Sequence, residues 1–316
     1  MALKVFSLKH ILLYLCVVFT TATLIIFYEL NHRESCTCQG PQNKESHEIS
    51  SHKLAILVPF RDRFTELLQF VPSIHKFLEA QKISYKIFIL NQVDEYRFNR
   101  ASLLNVGFQL VRDKFDYVAL HDVDLLPVNP NLSYKYPKTG IYHVASPEYH
   151  PKYNYATFLG GILLLTRNAF EELNGLSNQY WGWGLEDDEF YARIQESNYV
   201  IERPANLTTG TKTTFSHFHN KYMRRRDMAK CYNQWEVTRK RDRKTGYKTV
   251  KYSVPQTSKL AMQGIGVDVI NVELICNKTE TPWCDCRNAK GDSGRSKSVD
   301  NQDVIVPIVP RKSSKG

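Results

Sequence analysis

Acidic side chains are in short supply in this sequence: 32 Asp and Glu stand against 42 Lys and Arg, a formal charge of +10 over 316 residues. The imbalance argues for an anionic partner, such as a nucleotide diphosphate, an acidic polysaccharide or nucleic acid, without choosing among them. No internal repeat is visible, which excludes a solenoid or a blade array. The chain does not lack apolar residues. At 42% hydrophobic it can bury a full core, which excludes intrinsic disorder and leaves room for one large domain plus appendages.

Long uncharged runs are also scarce, and the one present is informative. Ile11 to Tyr28 is free of charge and near the length a helix needs to cross a bilayer. Lys4, Lys9 and His10 precede it and Glu29 follows, so the positive-inside rule places the N-terminus in the cytosol and the rest in the lumen. A cleaved signal peptide is the alternative, but its apolar region is usually shorter and ends at a small-residue site that is missing here. The expected organisation is a cytosolic tail over 1–10, an anchor over 11–28, a polar stem over 29–52, a main domain over 53–287 and a polar tail over 288–316.

Cysteine is sparse, seven in all. Cys16 lies in the anchor and Cys36 and Cys38 in the stem, while Cys231, Cys276, Cys284 and Cys286 form an even set suited to disulfides in an oxidising compartment. The alternative reading of Cys284-x-Cys286 is zinc, but no second pair has suitable ligand spacing. Asn131-Leu-Ser, Asn206-Leu-Thr and Asn277-Lys-Thr are sequons that lumenal exposure would permit to be glycosylated.

From Lys53 onward short apolar runs alternate with amphipathic stretches. "KLAILVPF" and "YKIFILNQV" read as strands, each leading into a helix: Phe64 to Glu79, with Pro72 a kink, and Arg100 to Asp113. "DYVALHDVDLLP" reads as a third strand and "GGILLLT" as a fourth, followed by a helix over Asn168 to Asn174 that Gly175 closes. The fold class expected is α/β, a mainly parallel central sheet that binds ligand beyond the carboxyl ends of its strands.

One such end carries Asp122 and Asp124. Two apart on extended backbone, they share a face, and their repulsion is relieved if a hard divalent ion joins them to a substrate's phosphates. The plainer reading of D-x-D is a solvated loop. His217 and His219 repeat the spacing; with a carboxylate they suit Mn²⁺ or Fe²⁺ better than Mg²⁺, or else they are an exposed pair on a basic face. Arg224, Arg225 and Arg226 follow, able to bind phosphate oxygens bidentately or to lie in solvent. A second basic stretch, Arg239 to Lys251, has no assigned role.

"YWGWGLEDDEF", Tyr180 to Phe190, joins two tryptophans on glycines to four acids. Sugar rings pack their C–H faces on aromatics and offer hydroxyls to acceptors, so Trp183 reads as a platform and Glu186, Asp187 and Asp188 as its polar contacts. Gly182 and Gly184 read as hinges that let the segment close over a donor and exclude water. Clustered carboxylates raise one another's pKa, which suits one to general-base work. The competing reading is an acidic helix start favoured by the macrodipole, with the tryptophans as core.

The blocks "LAILVPFRDRF", "LNQVDEYRFNRASLLNVGF", "HDVDLLP", "FLGGILLLT", "WGWGLEDDEF" and "HFH", in that order over Lys53 to Trp283, resemble the β-1,4-galactosyltransferase family. Within it, H-x-H and the ending "NKTETPWCDC" are similar to the members that extend xylose, in glycosaminoglycan linkage-region synthesis, rather than N-acetylglucosamine. The resemblance implies a GT-A-like domain and a single-pass type II Golgi membrane enzyme, its catalytic domain lumenal. It further implies an inverting, Mn²⁺-dependent transfer of galactose from UDP-galactose to the 4-hydroxyl of xylose on a proteoglycan serine, with no nucleic-acid partner. A sister transferase using N-acetylglucosamine, an inactive carbohydrate-binding protein and a metal-dependent hydrolase are the other readings.

Residue by residue, the resemblance places Pro59, Phe60, Arg61, Asp62 and Arg63 with Phe98, Asn99 and Arg100 on the uridine side, followed by Val123 and Asp124. It gives Asp124, His217 and His219 as metal ligands, Asp122 as their support, Arg226 on the diphosphate and Tyr153 in the sugar pocket. Trp183, Leu185, Glu186 and Asp188 fall around the donor and acceptor, with Asp187 as the base. It also implies disulfides Cys276–Cys284 and Cys231–Cys286.

Overall fold

The structure, a computed structural model, describes residues 20–23, 51–219, 222, 224–287 and 289. The chain divides into two units, Met1–His47 and Glu48–Gly316. Of the first, Thr20 to Thr23 are helical. Most of the anchor expected over 11–28, nearly all of the stem with Cys36 and Cys38, and nearly all of the C-terminal tail lie outside the described residues. Among the described residues no helix is long and apolar enough to cross a membrane.

In the second unit, β1 (Lys53–Phe60) shows why a sheet forms with helices on both faces. Alternate residues Ala55 and Leu57 enter one apolar cluster while Leu54, Ile56 and Val58 enter another, all fully buried. Such a strand needs cover on both sides. α1 (Phe64–Ala80) supplies Leu67, Phe70, Val71, Ile74 and Leu78 to one cluster. α2 (Arg100–Val111) supplies Leu103, Leu104, Val106 and Phe108 to the other. α1 continues through Pro72.

β2 (Ser84–Gln92) and β3 (Tyr117–His121) flank β1 in parallel. The chain then adds β4 (Leu125–Pro127), β5 (Ile141–His143) and β6 (Ile162–Thr166). α3 (Arg167–Glu172), α4 (Glu186–Gln195), β7 (Ile201–Glu202), β8 (Phe215–His217) and α5 (Gln234–Val237) follow, and β9 (Tyr252–Met262) and β10 (Ile265–Leu274) are the last strands, before a 3₁₀ turn over Pro282–Cys284. The eight-stranded order is β7-β5-β6-β3-β1-β2-β10-β9, and β4 and β8 form a separate pair. The centre is parallel as expected, but "GGILLLT" runs antiparallel to β3, and a C-terminal hairpin not anticipated from sequence pairs β10 parallel to β2. Its two-residue turn puts Gln263 and Gly264 at φ 51° and 82°, the left-handed conformation whose turn matches the right-handed twist of the strands it joins.

The third expected strand is two strands. The run over Asp116 to Pro127 breaks at Asp122–Asp124, where the chain leaves the main sheet by a turn and restarts as β4. The aspartates therefore sit in a turn between two sheets, not along one extended face. Disulfides Cys231–Cys286 and Cys276–Cys284 are formed, each with Cα atoms 5.9 Å apart.

Candidate active site

A cavity of about 480 Å³ lies where β1 and β3 end and β6 begins. These are the edges at which α/β sheets bind ligands, because adjacent connections there diverge to opposite faces. Pro59, Arg61, Asp62 and Arg63 line it from the end of β1, Asp122, Val123 and Asp124 from the end of β3, and Phe98 and Arg100 from the start of α2.

On the floor, the two aspartates part company. Arg100 Nη2 lies 2.7 Å from Asp122 Oδ1. Burial and the neighbouring Asp124 lift the Asp122 carboxyl, while Arg100, itself held more firmly charged by Asp122 and Glu186 despite burial, opposes that lift. Asp124 instead faces the histidines: its Oδ2 lies 3.2 Å from His219 Nδ1 and 4.0 Å from His217 Nε2. His217 is placed by β8, which pairs with Leu125 of β4, and the two imidazoles stack at 6.1 Å. Burial works to raise Asp124, but the His219 hydrogen bond and the His217, His219 and Arg63 charges bring it below its ordinary value, while burial lowers His217. An ionised carboxylate and a neutral imidazole are the forms that bind a cation, and two nitrogens with one oxygen suit Mn²⁺. No group of three or more His, Cys, Asp or Glu stands as a ready-made metal cage among the described residues.

Behind them, His150 is buried, its Nδ1 accepting the backbone N–H groups of Lys152 and Tyr153 at 3.0 and 2.9 Å. Burial first, then His217, takes it down to about 3. It is a neutral brace for the Tyr153 loop.

The far wall is the Tyr180–Leu185 loop and the start of α4. The two tryptophans divide: Trp181 is core, 3% exposed, and Trp183 lines the cavity. The Arg226 guanidinium sits 4.4 Å from the Trp183 ring centre and 5.8 Å from that of Tyr153, so a cation is clamped between aromatic faces at the rim. Leu185, at φ 73°, turns the chain into α4. Glu186 and Asp187 then face the cavity, Asp188 points inward with neither oxygen bonded to a described residue, and Glu189 is buried against Arg193. Burial, then Glu186 and Asp188, raises Asp187 well above the ordinary carboxyl range; burial and Glu186 push Asp188 up to about 7. The macrodipole at this helix start favours the charged forms, but repulsion and desolvation outweigh it.

Most expected site residues thus meet in one cavity. Phe60, Asn99 and Asp188 do not line it. Phe60 packs against the core, and Asn99 is the buried cap of α2, its Oδ1 accepting the Ser102 N–H at 2.8 Å. Arg61 lines the cavity but spends its guanidinium on the carbonyls of Gln92, Asp94 and Tyr96. Of the arginine run, Arg224 is bound to Glu66 at 2.9 Å, pinning its segment to α1, and only Arg225 and Arg226 are left to face a ligand. Sequence reasoning missed Tyr155, Phe158 and His150; the tyrosine alternation in "YNY" was their one visible signal. It also missed Arg97, which bonds Asp227, Gln234, Ala229 and Trp283 and ties the tryptophan loop to the C-terminal disulfides.

Residues 14–137 match the N-terminal region of glycosyl transferase group 7, and residues 140–220 the N-terminal domain of galactosyltransferase. The chain is 56% identical to β-1,4-galactosyltransferase 7 of Drosophila melanogaster, over 76% of this chain and 75% of that one. The chain belongs to the β-1,4-galactosyltransferase family. Among its relatives there, xylosylprotein 4-β-galactosyltransferase of Caenorhabditis elegans is 48% identical, over 75% of this chain and 83% of that one. The solved catalytic domain of the Drosophila enzyme with xylobiose superposes at TM-score 0.73 with 57% identity, covering 74% of this chain and 99% of that one. A mutant of that enzyme, solved with manganese, UDP-Gal and xylobiose, gives the same TM-score at 56% identity, with the same coverage. The GT-A-like expectation for this galactosyltransferase domain is thereby met at the level of the fold.

Proposed function

We propose that this chain is an inverting galactosyltransferase that moves galactose from UDP-galactose to the 4-hydroxyl of xylose on a proteoglycan serine, as the glycosaminoglycan linkage region is built. The observation that carries the reading is Asp187: a carboxylate at the cavity wall with its pKa raised by burial and like charge, beside an aromatic platform and facing a cationic rim. Relatives named for this activity, and the relative solved with manganese, UDP-Gal and xylobiose, support the substrate assignment.

In this reading Asp187 accepts the proton as the xylose O4–H bond breaks, O4 bonds to the anomeric carbon from the face opposite the diphosphate, and UDP leaves with the C1–O electron pair. Trp183 packs on sugar and, with Leu185, shields the reacting carbon from water. Arg226 faces the diphosphate and stabilises the charge it gains. Asp124, His217 and His219 would hold Mn²⁺, which when bound supplies positive charge to the phosphates; Asp122, locked to Arg100, orients that turn. Glu186, which lines the cavity beside Asp187, is placed to accept a hydrogen bond from an acceptor hydroxyl.

The same reading places residues 53–287 in the Golgi lumen behind a single-pass type II anchor over 11–28, as the flanking charges suggest. Asp187→Asn tests the chemistry. The amide keeps shape and hydrogen bonding but accepts no proton, so kcat with a β-xyloside should fall about 10²–10⁴-fold while KM stays within about threefold. Wild-type kcat in that variant would remove Asp187 from the base's role.

A further inference from the structure

Much of the chain's positive charge gathers beyond the cavity. From Met228 to Lys251 there are eight basic residues against two acids, Glu236 and Asp242. Part of that charge is structural. Asp242 is buried against Ser177, Arg241 binds Glu189 and Glu196, and Arg243 binds Glu196. Arg239, Lys240 and Lys244 are exposed, and their side chains form no ion pair with a described residue.

Apolar side chains are interleaved with these bases. Met228, Tyr232 and Trp235 are 51%, 52% and 51% exposed, and the Arg239 guanidinium lies 3.5 Å from the Trp235 ring centre. Large apolar groups left in water beside charged ones mark interaction surfaces, since rings give contact area at low entropic cost. This surface adjoins the cavity. Lys230 Nζ donates to Trp183 O at 3.1 Å, Gln234 Nε2 to Trp181 O at 2.8 Å and the Tyr180 hydroxyl to Thr238 O at 3.0 Å. The segment is stitched to the loop that forms the cavity's lip.

We propose that the surface from Met228 to Lys244 binds the acidic polypeptide that carries the acceptor sugar, a protein-reading subsite beside the sugar-reading cavity. This rests on the galactosyl-transfer reading above, in which the acceptor xylose is attached to a serine. With the sugar at Asp187, the peptide must leave the cavity and lie on the surface next to it. α4 measures the distance: from Glu186 to Glu196, which holds Arg241 and Arg243, is about 15 Å at helical rise. An extended peptide covers that in about four to five residues, so acids within that distance of the sugar-bearing serine reach the bases. Continuity with the cavity favours a partner that occupies both at once, which a membrane surface does not.

Kinetics of the full chain in detergent test this with three acceptors: methyl β-xyloside, a xylosylated Ser-Gly peptide flanked by Asp and Glu, and its Asn/Gln counterpart. The wild type should show about a tenfold lower KM for the acidic peptide than for the amide one. That advantage should vanish in R239A/K240A/K244A and at about 0.5 M salt, and Trp235→Ala should weaken both peptides. Kinetics with methyl β-xyloside should not change. Fluorescence anisotropy with the acidic peptide lacking xylose reads the surface alone; binding there that the triple variant loses sustains the subsite even if no xyloside is a substrate, so the two readings fail separately. Equal KM values for acidic and amide peptides in the wild type, or anisotropy indifferent to the triple variant, would overturn the proposal. So would loss of binding only to phosphatidylserine vesicles, which would reassign the surface to lipid.

Discussion

Asp188 holds a carboxylate where the protein gives neither oxygen a hydrogen bond among the described residues, and its pKa stands at about 7 against an ordinary 3.8. Such a group disfavours folding once it is charged. The sign follows from linkage: the folded state binds this proton more tightly than the unfolded chain, so stability falls as pH rises from about 4 to about 7 and stays reduced above. Asp188→Asn should therefore stabilise the domain at pH 8 by about 1–3 kcal/mol and have little effect at pH 4, read from urea unfolding at both values. An equal effect at both pH values would assign it to packing. The acidic cluster was legible in sequence because four consecutive acids must repel. Its division was not: Glu189 turns to Arg193 and to the Asp242 N–H, 4 and 53 residues away in sequence, while Asp188 is buried without a bond to a described residue, and no spacing rule reaches that difference.

The tryptophan loop shows the same limit among the elements. Gly182 and Gly184 look alike in sequence, yet only one has room to move. A Cβ on Gly182, at φ 82°, would lie 2.0 Å from Arg97 Nη2, and its N–H is bonded to Phe98 O; a Cβ on Gly184, at φ 104°, meets nothing within 4 Å. Gly182 is thus a close-approach point and Gly184 the freer joint. Gly182→Ala should cost about 2–4 kcal/mol of stability through clash and strain together. Gly184→Ala should cost about 1 kcal/mol and act mainly on turnover, by stiffening the loop. Denaturation midpoints set beside kcat separate these outcomes, and equal destabilisation by both would contradict the assignment. Strand runs and helix periods were readable because burial on two faces imposes them. The break at Asp122–Asp124 was not, since β4 exists only through its pairing with β8, ninety residues on.

For the whole molecule, the C-terminal hairpin extends the sheet beyond β2 and the disulfides fasten the C-terminal segment to the domain. Cys231 and Cys286 are 55 residues apart and Cys276 and Cys284 only 8, so chain entropy assigns about 4 kcal/mol to the first bridge and about 2–3 to the second. Replacing both members of the first pair by serine should lower the thermal midpoint more than replacing the second pair, with the reverse order contradicting the entropic account. Transfer of galactose to xylose is read from kcat/KM with UDP-galactose and Mn²⁺ for a β-xyloside against N-acetylglucosamine, repeated after chelation. The enzyme should prefer the xyloside by at least about 10²-fold, as expected where buried polar groups match one acceptor and not another, and should lose transfer on chelation. Equal or greater turnover of N-acetylglucosamine, or release of free galactose independent of any acceptor, would contradict it.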